Sequence, residues 1–185
     1  VLGMLVDRLR DEGLLDDTLL FVFADHGEAF YQHRKNYNHP FFLYEENVHV
    51  PFMIYNEKLF PEPVYFSGTT SHIDILPTIL DVLSIDGGQA YEGRPMLSGR
   101  REQMALLHTH LKDDIMGVRD GRWKYMRYME SGDEELYDIL ADPGEKNNLA
   151  RTREEIVRSY REYVLRARRY NIDFYSDLLS RKTGG

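Results

Sequence analysis

The chain has 185 residues, of which 42% are hydrophobic, and its formal net charge is −8 because 31 acidic residues outnumber 23 basic ones. This length suits one domain or a large piece of one, and 13 tyrosines and 9 phenylalanines argue against wholesale disorder. The acidic balance disfavours a nucleic-acid partner, the absence of cysteine excludes disulfides, and no apolar run approaches the roughly 20 residues that span a bilayer.

The chain opens with a predicted helix followed by a predicted buried strand. Apolar residues recur at helical spacing over residues 1–11, and Gly13 follows where a C-terminal cap belongs. The continuous apolar run 19–24 is typical of a strand buried on both faces, as in the middle of a parallel sheet, with a neighbouring strand on each side. Because the chain starts without Met and inside a predicted helix, we expect it to be a fragment.

A second strand and a second helix follow. Residues 48–55 form another apolar run, in which Pro51 predicts a position near a sheet edge. Helical periodicity over residues 73–83 predicts a helix whose start Ser71 or Asp74 would cap.

Beyond residue 100 the pattern changes to short strands and a final helix. We expect an antiparallel sheet, since closely spaced strands pair most simply in this way and Asp120-Gly121 is a strong hairpin signal. We therefore divide the chain into units 1–100 and 101–185. The predicted strands cover 104–111, 115–119, 122–129 and 135–139, and the amphipathic helix covers 153–169, with Ile156, Tyr160, Tyr163, Val164 and Ala167 facing inward.

Asp25 and His26 are the main chemical signal in the sequence. They stand directly after the predicted strand 19–24, and in open α/β sheets ligands bind beyond the carboxyl ends of strands. A carboxylate and an imidazole are both good ligands for divalent metals, and Gly27 would allow a sharp turn beside the ion. The alternative for this tripeptide is a simple strand-to-loop turn.

The loop after this motif contains His33, Lys35 and His39. Chemistry on anionic esters needs positive or proton-donating groups around the ester oxygens and the leaving group. We take His39 as the first catalytic candidate, since residues 40–42 would hold its backbone beside the core, and His33 as the second. We assign substrate binding to His39 and Lys35. For each of them the alternative is a solvated loop residue.

Several ordered motifs across about 135 residues resemble the C-terminal half of the sulfatase catalytic domain. Asp25-His26-Gly27 matches the DHG or DNG motif, which supplies two metal ligands in that family, and the family's YEE-x-x-x-VP stretch follows. Further elements resemble its D-x-x-PT, R-x-G-x-(W/Y)-K and ELYDL-x-x-DP-x-E-x-x-NL segments. In this chain these matches lie at 44–51, 74–78, 119–125 and 135–149.

This resemblance implies an alkaline-phosphatase-like α/β fold, with a mixed sheet flanked by helices and present only in part. A small antiparallel subdomain with a closing C-terminal helix would follow. It implies a metal-dependent sulfatase acting on a small anionic ester such as a sulfated sugar, an aryl sulfate or a phospholipid headgroup. One divalent ion is expected, with calcium first and manganese, magnesium or zinc as alternatives. A formylglycine nucleophile would lie upstream, and a periplasmic or extracellular location is favoured.

Two alternatives to a sulfatase remain at this stage. Histidine at position 39, where many sulfatases have lysine, also resembles the phosphoethanolamine- and lipoteichoic-acid-transferring branch. The nearest alternative is therefore a phosphoryl or phosphoalcohol transferase, or a phosphodiesterase, on the same fold. A non-catalytic, metal-stabilised binding module is the second. Other polar residues have plainer interpretations: Glu45 and Glu46 are expected to open a short helix or to pair with bases, and His108 and His110 to lie on a solvated strand face.

Overall fold

A computed structural model describes residues 1–87, 91–97 and 104–183. Helices and strands alternate in the first part, and four strands and one long helix make up the second. The helices are α1 (Leu2–Asp11), α2 (Glu45–Val48), α3 (Ile75–Val82) and α4 (Glu154–Thr183), and the strands are β1 (Leu20–Phe23), β2 (Ala29–Phe30), β3 (Tyr37–Asn38), β4 (Phe52–Tyr55), β5 (Ala105–Thr109), β6 (Ile115–Arg119), β7 (Trp123–Tyr128) and β8 (Glu134–Asp138).

Helix α1 ends as its sequence predicts. Gly13 adopts a left-handed conformation with φ of 70°. The amide of Leu14 then reaches back to the carbonyl of Leu9 at 2.9 Å, and the amide of Gly13 bonds that of Arg10 at 3.0 Å. This pattern satisfies carbonyls that would otherwise lack partners at the helix end.

Strand β1 pairs with β4 in an antiparallel two-stranded sheet, in which Phe21 stands opposite Ile54. Our prediction of neighbours on both sides in a parallel arrangement is wrong for the described residues, because β4 is the one partner they supply and it runs antiparallel. Phe23 accordingly remains 45% exposed. Strand β4 is also shorter than predicted: it begins after Pro51, which has no amide to donate to a ladder.

The second predicted helix is present as a 3₁₀ turn, His72–Asp74, that continues into α3. A capping box starts it: the amide of Ser71 donates to the Asp74 carboxylate at 2.8 Å, and the Ser71 side chain accepts from the Asp74 amide. Both capping candidates are therefore used. The imidazole of His72 contacts the carbonyl of Ala24 at 2.9 Å, which ties this turn to the end of β1.

Strands β5 to β8 form the predicted antiparallel meander. The β6–β7 turn has Gly121 and Arg122 at its tip, one residue later than Asp-Gly suggests. Asp120 closes it, because its amide bonds the Trp123 carbonyl and its carboxylate accepts the amides of Arg122 and Trp123. The side chain of Asp120 thus makes the local bonds that favour aspartate in turns.

This sheet buries both of its faces. One face packs against α4, and the other packs against the segment that contains α2. The first cluster consists of Met116, Val118, Tyr125, Leu136, Val157, Tyr160 and Val164, and the second of Leu43, Ile115, Met126, Tyr137 and Ile139. The sheet therefore connects the C-terminal helix with the loop region that follows β1.

Helix α4 extends to Thr183, well past the predicted end at residue 169. The predicted boundary between residues 100 and 101 lies outside the described residues. Within the described ranges, no helix combines the length and apolar character required to cross a membrane.

Glu134 links the sheet to α4 and makes stability depend on pH. Arg161 donates to both of its carboxylate oxygens at 2.6 Å. These hydrogen bonds lower the pKa of Glu134 from 4.5 to about 2, against the opposing effect of burial. A carboxyl group with a lowered pKa stabilises the folded state above its unfolded-state pKa, and this contribution is lost as pH falls through the folded-state value.

We therefore expect the free energy of unfolding to drop between pH 4.5 and about 2. Glu134→Gln should cost about 2 kcal/mol at neutral pH and flatten that drop. Urea denaturation at a series of pH values measures both effects. Glu130→Gln, at an exposed glutamate of the neighbouring turn, is the matched control, and an equal effect of the two substitutions would contradict the assignment.

Candidate functional site

The turn directly after β1 presents Asp25 and His26 side by side. The amide of His26 donates to Asp25 Oδ1 at 3.1 Å, and His26 Nε2 lies 3.6 Å from Asp25 Oδ2. The Asp25 side chain is 87% exposed and that of His26 41% exposed. The two side chains therefore face a shared, accessible space.

The hydrogen-bond partner of Nδ1 determines the tautomer of His26. Nδ1 lies 2.9 Å from the carbonyl oxygen of Gly27, which can only accept a hydrogen bond. Nδ1 therefore carries the proton, and in the neutral ring Nε2 keeps a lone pair near Asp25. Metal-binding histidines commonly donate their second nitrogen to a carbonyl in this way.

Gly27 is required because the backbone of α2 passes directly beside it. Its amide donates to the carbonyl of Asn47 at 2.9 Å. A Cβ atom at this position would collide with the carbonyl oxygen of Glu46. The glycine thus fixes the Asp25–His26 turn against α2.

His39 stacks on His26, with ring centroids 3.7 Å apart and an interplanar angle of 18°. Its Nδ1 lies 3.1 Å from Glu28 Oε2, and among the described residues its Nε2 has no hydrogen-bond partner. One ligand atom each from His26, Glu28 and His39 lies within 4.8 Å of the other two. Sequence reasoning missed Glu28 as a member, although its position directly after Gly27 was the available signal.

His33 is held in a different place. Its Nδ1 lies 2.7 Å from Glu46 Oε1, and its Nε2 lies 3.3 Å from the carbonyl oxygen of Glu145. The ring stacks on Tyr44 at 3.8 Å and is 16% exposed. Both nitrogens of His33 thus face protein acceptors, whereas within the described part of the chain only Nδ1 of His39 does. Burial, aided by the charge of Glu135, raises the pKa of Tyr44, so the phenol beneath the His33 ring stays neutral.

Buried amides hold the loop that carries both histidines. Asn36, which is fully buried, donates to Glu46 Oε1 at 2.7 Å and to Asn47 Oδ1 at 2.6 Å. Asn47 in turn donates to the carbonyl of Asn38 at 3.0 Å. Lys35 lies exposed on this loop, with φ of 70°, and belongs to neither histidine cluster.

Glu45 and Glu46 are expected to open a short helix or to pair with bases, and the structure confirms this. They form the first turn of α2, and both pair with bases, Glu46 with His33 and Glu45 with two cationic side chains. Glu45 lies 3.1 Å from Lys124 Nζ and 3.3 Å from Arg119 Nε. Burial acts to raise the pKa of Glu46, but hydrogen bonds, above all from His33, outweigh it and lower that pKa.

His108 and His110 lie apart from this region. Their ring centroids are 5.6 Å apart, and His108 Nε2 bonds Asp114 at 2.9 Å. Among the residues described, they do not join a group of three ligand atoms close enough to share an ion. Their placement agrees with the solvated strand face expected for them.

The arrangement at the end of β1 combines two chemical abilities. Asp25 and His26 offer an oxygen and a nitrogen donor that converge, as a divalent cation requires. His39 offers an imidazole nitrogen that can donate to or accept from a bound group. A cation and an ester oxygen could therefore be contacted from the same turn.

A protein-family model described as Sulfatase matches residues 1–85. The chain is 30% identical over 148 residues to the Delta 4,5-hexuronate-2-O-sulfatase of Bacteroides thetaiotaomicron, covering 73% of this chain and 31% of that protein. It is 30% identical over 165 residues to the choline-sulfatase of Rhizobium meliloti, covering 80% and 30%. The chain thus spans about a third of the length of these curated relatives.

A solved 2-O GAG sulfatase superimposes on this structure with a TM-score of 0.69 at 23% sequence identity. The match covers 98% of this chain and 40% of that one. At this identity the similarity establishes the fold.

Gly27→Ala tests the close approach between the turn and α2. Because its Cβ would collide with backbone rather than with a flexible side chain, we expect a loss of about 1–3 kcal/mol in the free energy of unfolding. Urea denaturation measures it. In the control Gly121→Ala the added Cβ meets nothing within 4 Å, so a change within about 0.5 kcal/mol is expected. Equal losses in the two variants would contradict the packing described.

Proposed function

The chain belongs to the sulfatase family, and we propose that it carries metal-binding and anion-binding residues of a sulfuric ester hydrolase. The observation that supports this most directly is the position of the Asp25–His26–His39 group. It stands at the end of β1, inside the segment 1–85 that the family model matches. We assign this site to unit 1–100, and to unit 101–185 the packing surface that supports it.

Asp25 and His26 would hold the divalent cation. The pair fits such a role because a carboxylate oxygen and the lone-pair nitrogen of His26 converge, while its other nitrogen is fixed by the Gly27 carbonyl. Bound there, the cation would polarise the ester and stabilise the charge that develops on its oxygens. Calcium remains the first candidate through the family resemblance. The imidazole ligand also suits zinc, and the carboxylate also suits manganese or magnesium.

His39 would contact the ester directly. Its Nδ1 donates to the Glu28 carboxylate, so Nε2 can accept from a bound group when the ring is neutral and can donate to a non-bridging oxygen or to the leaving group when the ring carries both protons. His33 is the second candidate, but it would have to exchange its contact with Glu46 or with Glu145 for one with substrate. Lys35, exposed on the same loop, would attract the anionic group.

The nucleophile would come from outside these 185 residues. This proposal rests on the family resemblance, in which the nucleophile precedes the DHG motif, and on the fact that the relatives are about three times as long as the matched segment. The family resemblance gives formylglycine as its expected form. The named substrates of the relatives, a hexuronate 2-O-sulfate and choline sulfate, support a small anionic ester as the substrate class.

The activity test uses the intact protein that contains this chain. We expect Asp25→Ala and His26→Ala each to lower kcat/KM for a chromogenic sulfate by about 100-fold or more, because each removes a donor to the cation. His110→Ala, at an imidazole outside the site, should change it little. The isolated 185 residues should show no turnover.

The outcomes of this assay separate the candidate functions. Full activity of Asp25→Ala would contradict the metal-ligand assignment. Faster turnover of a chromogenic phosphate than of the sulfate would favour the phosphoryl-transfer alternative suggested by His39. An intact protein without activity on either ester, but stabilised by divalent cations, would favour the non-catalytic module.

A further inference from the structure

Glu145 lies about 100 residues beyond α2 in the sequence, yet its carboxylate contacts the first residue of α2 and its carbonyl faces the loop that carries His33. Its side chain is buried, and Oε2 accepts the amide of Glu45 at 2.7 Å. Its Oε1 lies 3.0 Å from Lys124 Nζ, and neither side chain is exposed. Its carbonyl faces His33 Nε2 at 3.3 Å.

Helix α2 depends on this contact because it is too short to be stable alone. It consists of four residues, and its N-cap, Tyr44, makes no capping bond through its side chain. Isolated helices of this length do not persist in water, and unpaired amides at a helix start need an acceptor. The Glu145 carboxylate supplies that acceptor, with a negative charge at the end of the helix where it is favourable.

Helix α2 in turn makes hydrogen bonds to both parts of the site, the Asp25–His26 turn and the loop that carries His39. The carbonyl of Asn47 accepts the amide of Gly27 at 2.9 Å, which holds the Asp25–His26 turn. The side-chain amide of Asn47 donates to the carbonyls of Asn38 and His39, at 3.0 and 3.5 Å. A displacement of α2 would therefore move the cation ligands and His39 together.

Two features show that the backbone and the carboxylate of Glu145 are closely constrained. Its φ of 49° is a left-handed conformation that residues other than glycine rarely adopt. Burial raises the pKa of its carboxyl group, with the charge of Lys124 acting in the opposite direction, so its ionised form depends on that lysine. The fully buried Lys124 also contacts Glu45, so one cation joins the two carboxylates.

We infer that Glu145, oriented by Lys124, is a positioning residue for the site: it fixes α2 and thereby the geometry of the Asp25–His26 turn and of His39. This inference rests on the proposed function, because it gives Glu145 an effect on catalysis without contact with substrate. Glu145 acts from the C-terminal unit, so the antiparallel subdomain takes part in building the site.

Hydrogen exchange in the 185-residue chain tests the positioning directly. In Glu145→Ala the amides of Gly27 and Glu45 should exchange about tenfold faster or more, while those of Val118 and Tyr125 inside the sheet keep their rates. Glu145→Gln keeps an acceptor oxygen and should show a smaller increase at the same two amides. Glu154→Ala, at an exposed glutamate of α4, is the control and should change none of them.

Unchanged exchange at Gly27 in Glu145→Ala would overturn the inference, as would a uniform increase across the sheet, which is the sign of a general structural role. If Glu145→Ala does not fold, Glu145→Gln decides by the same criteria: a selective increase at Gly27 and Glu45 supports the inference, and either of the other patterns overturns it.

Kinetics of the intact protein complete the test. Glu145→Ala should lower kcat for the sulfate ester by about tenfold or more, and Glu145→Gln should recover most of that loss. His26→Ala is measured in parallel. If His26→Ala is fully active, the proposed function fails, whatever Glu145 does. If His26→Ala is inactive and Glu145→Ala has the parent kcat, the function stands and the positioning role of Glu145 is overturned.

Discussion

The candidate site depends on a one-turn helix, α2, that is too short to be stable in isolation. Helix α2 receives its N-terminal acceptor from Glu145, and it gives a backbone acceptor to Gly27 and side-chain contacts to the loop of His33 and His39. These polar contacts join α2 to Glu145 on one side and to the Asp25–His26 turn and the His39 loop on the other. This explains why the residues with catalytic potential can lie on an irregular loop and still share one geometry.

The C-terminal sheet provides the rigid support for this arrangement. Its alternation of side chains sends Tyr125 towards α4 and Met126 towards the α2 segment. Lys124 lies on the α2 side, where it would be costly to bury without the two carboxylates that it contacts. The C-terminal sheet therefore forms one side of the polar network beneath the site. The described residues form part of the α/β fold of the alkaline-phosphatase-like sulfatases, with small antiparallel sheets.

How far the sequence predicts this structure depends on the range of the interactions concerned. Local patterns succeeded: the β5–β8 meander, the Gly13 cap and the Ser71–Asp74 capping box follow from neighbouring residues. The strand partners of β1 and the length of α4 could not be predicted from such local patterns. An apolar run predicts burial without naming a neighbour, and the predicted end of α4 followed its last inward-facing positions, whereas the helix continues over exposed residues. The contacts of Glu145 were missed because they join residues about 100 apart, although its motif was among those that resemble the family.

The central claim, that Asp25 and His26 receive a divalent cation beside His39, can be measured directly by paramagnetic broadening. Manganese ions titrated into the chain labelled at histidine nitrogens should broaden the imidazole signals of His26 and His39 first. The signals of His108 and His110 should stay sharp, and Asp25→Ala should shift the broadening to higher manganese concentration. Broadening of His108 and His110 at the same or lower manganese concentration than that of His26 would contradict the account.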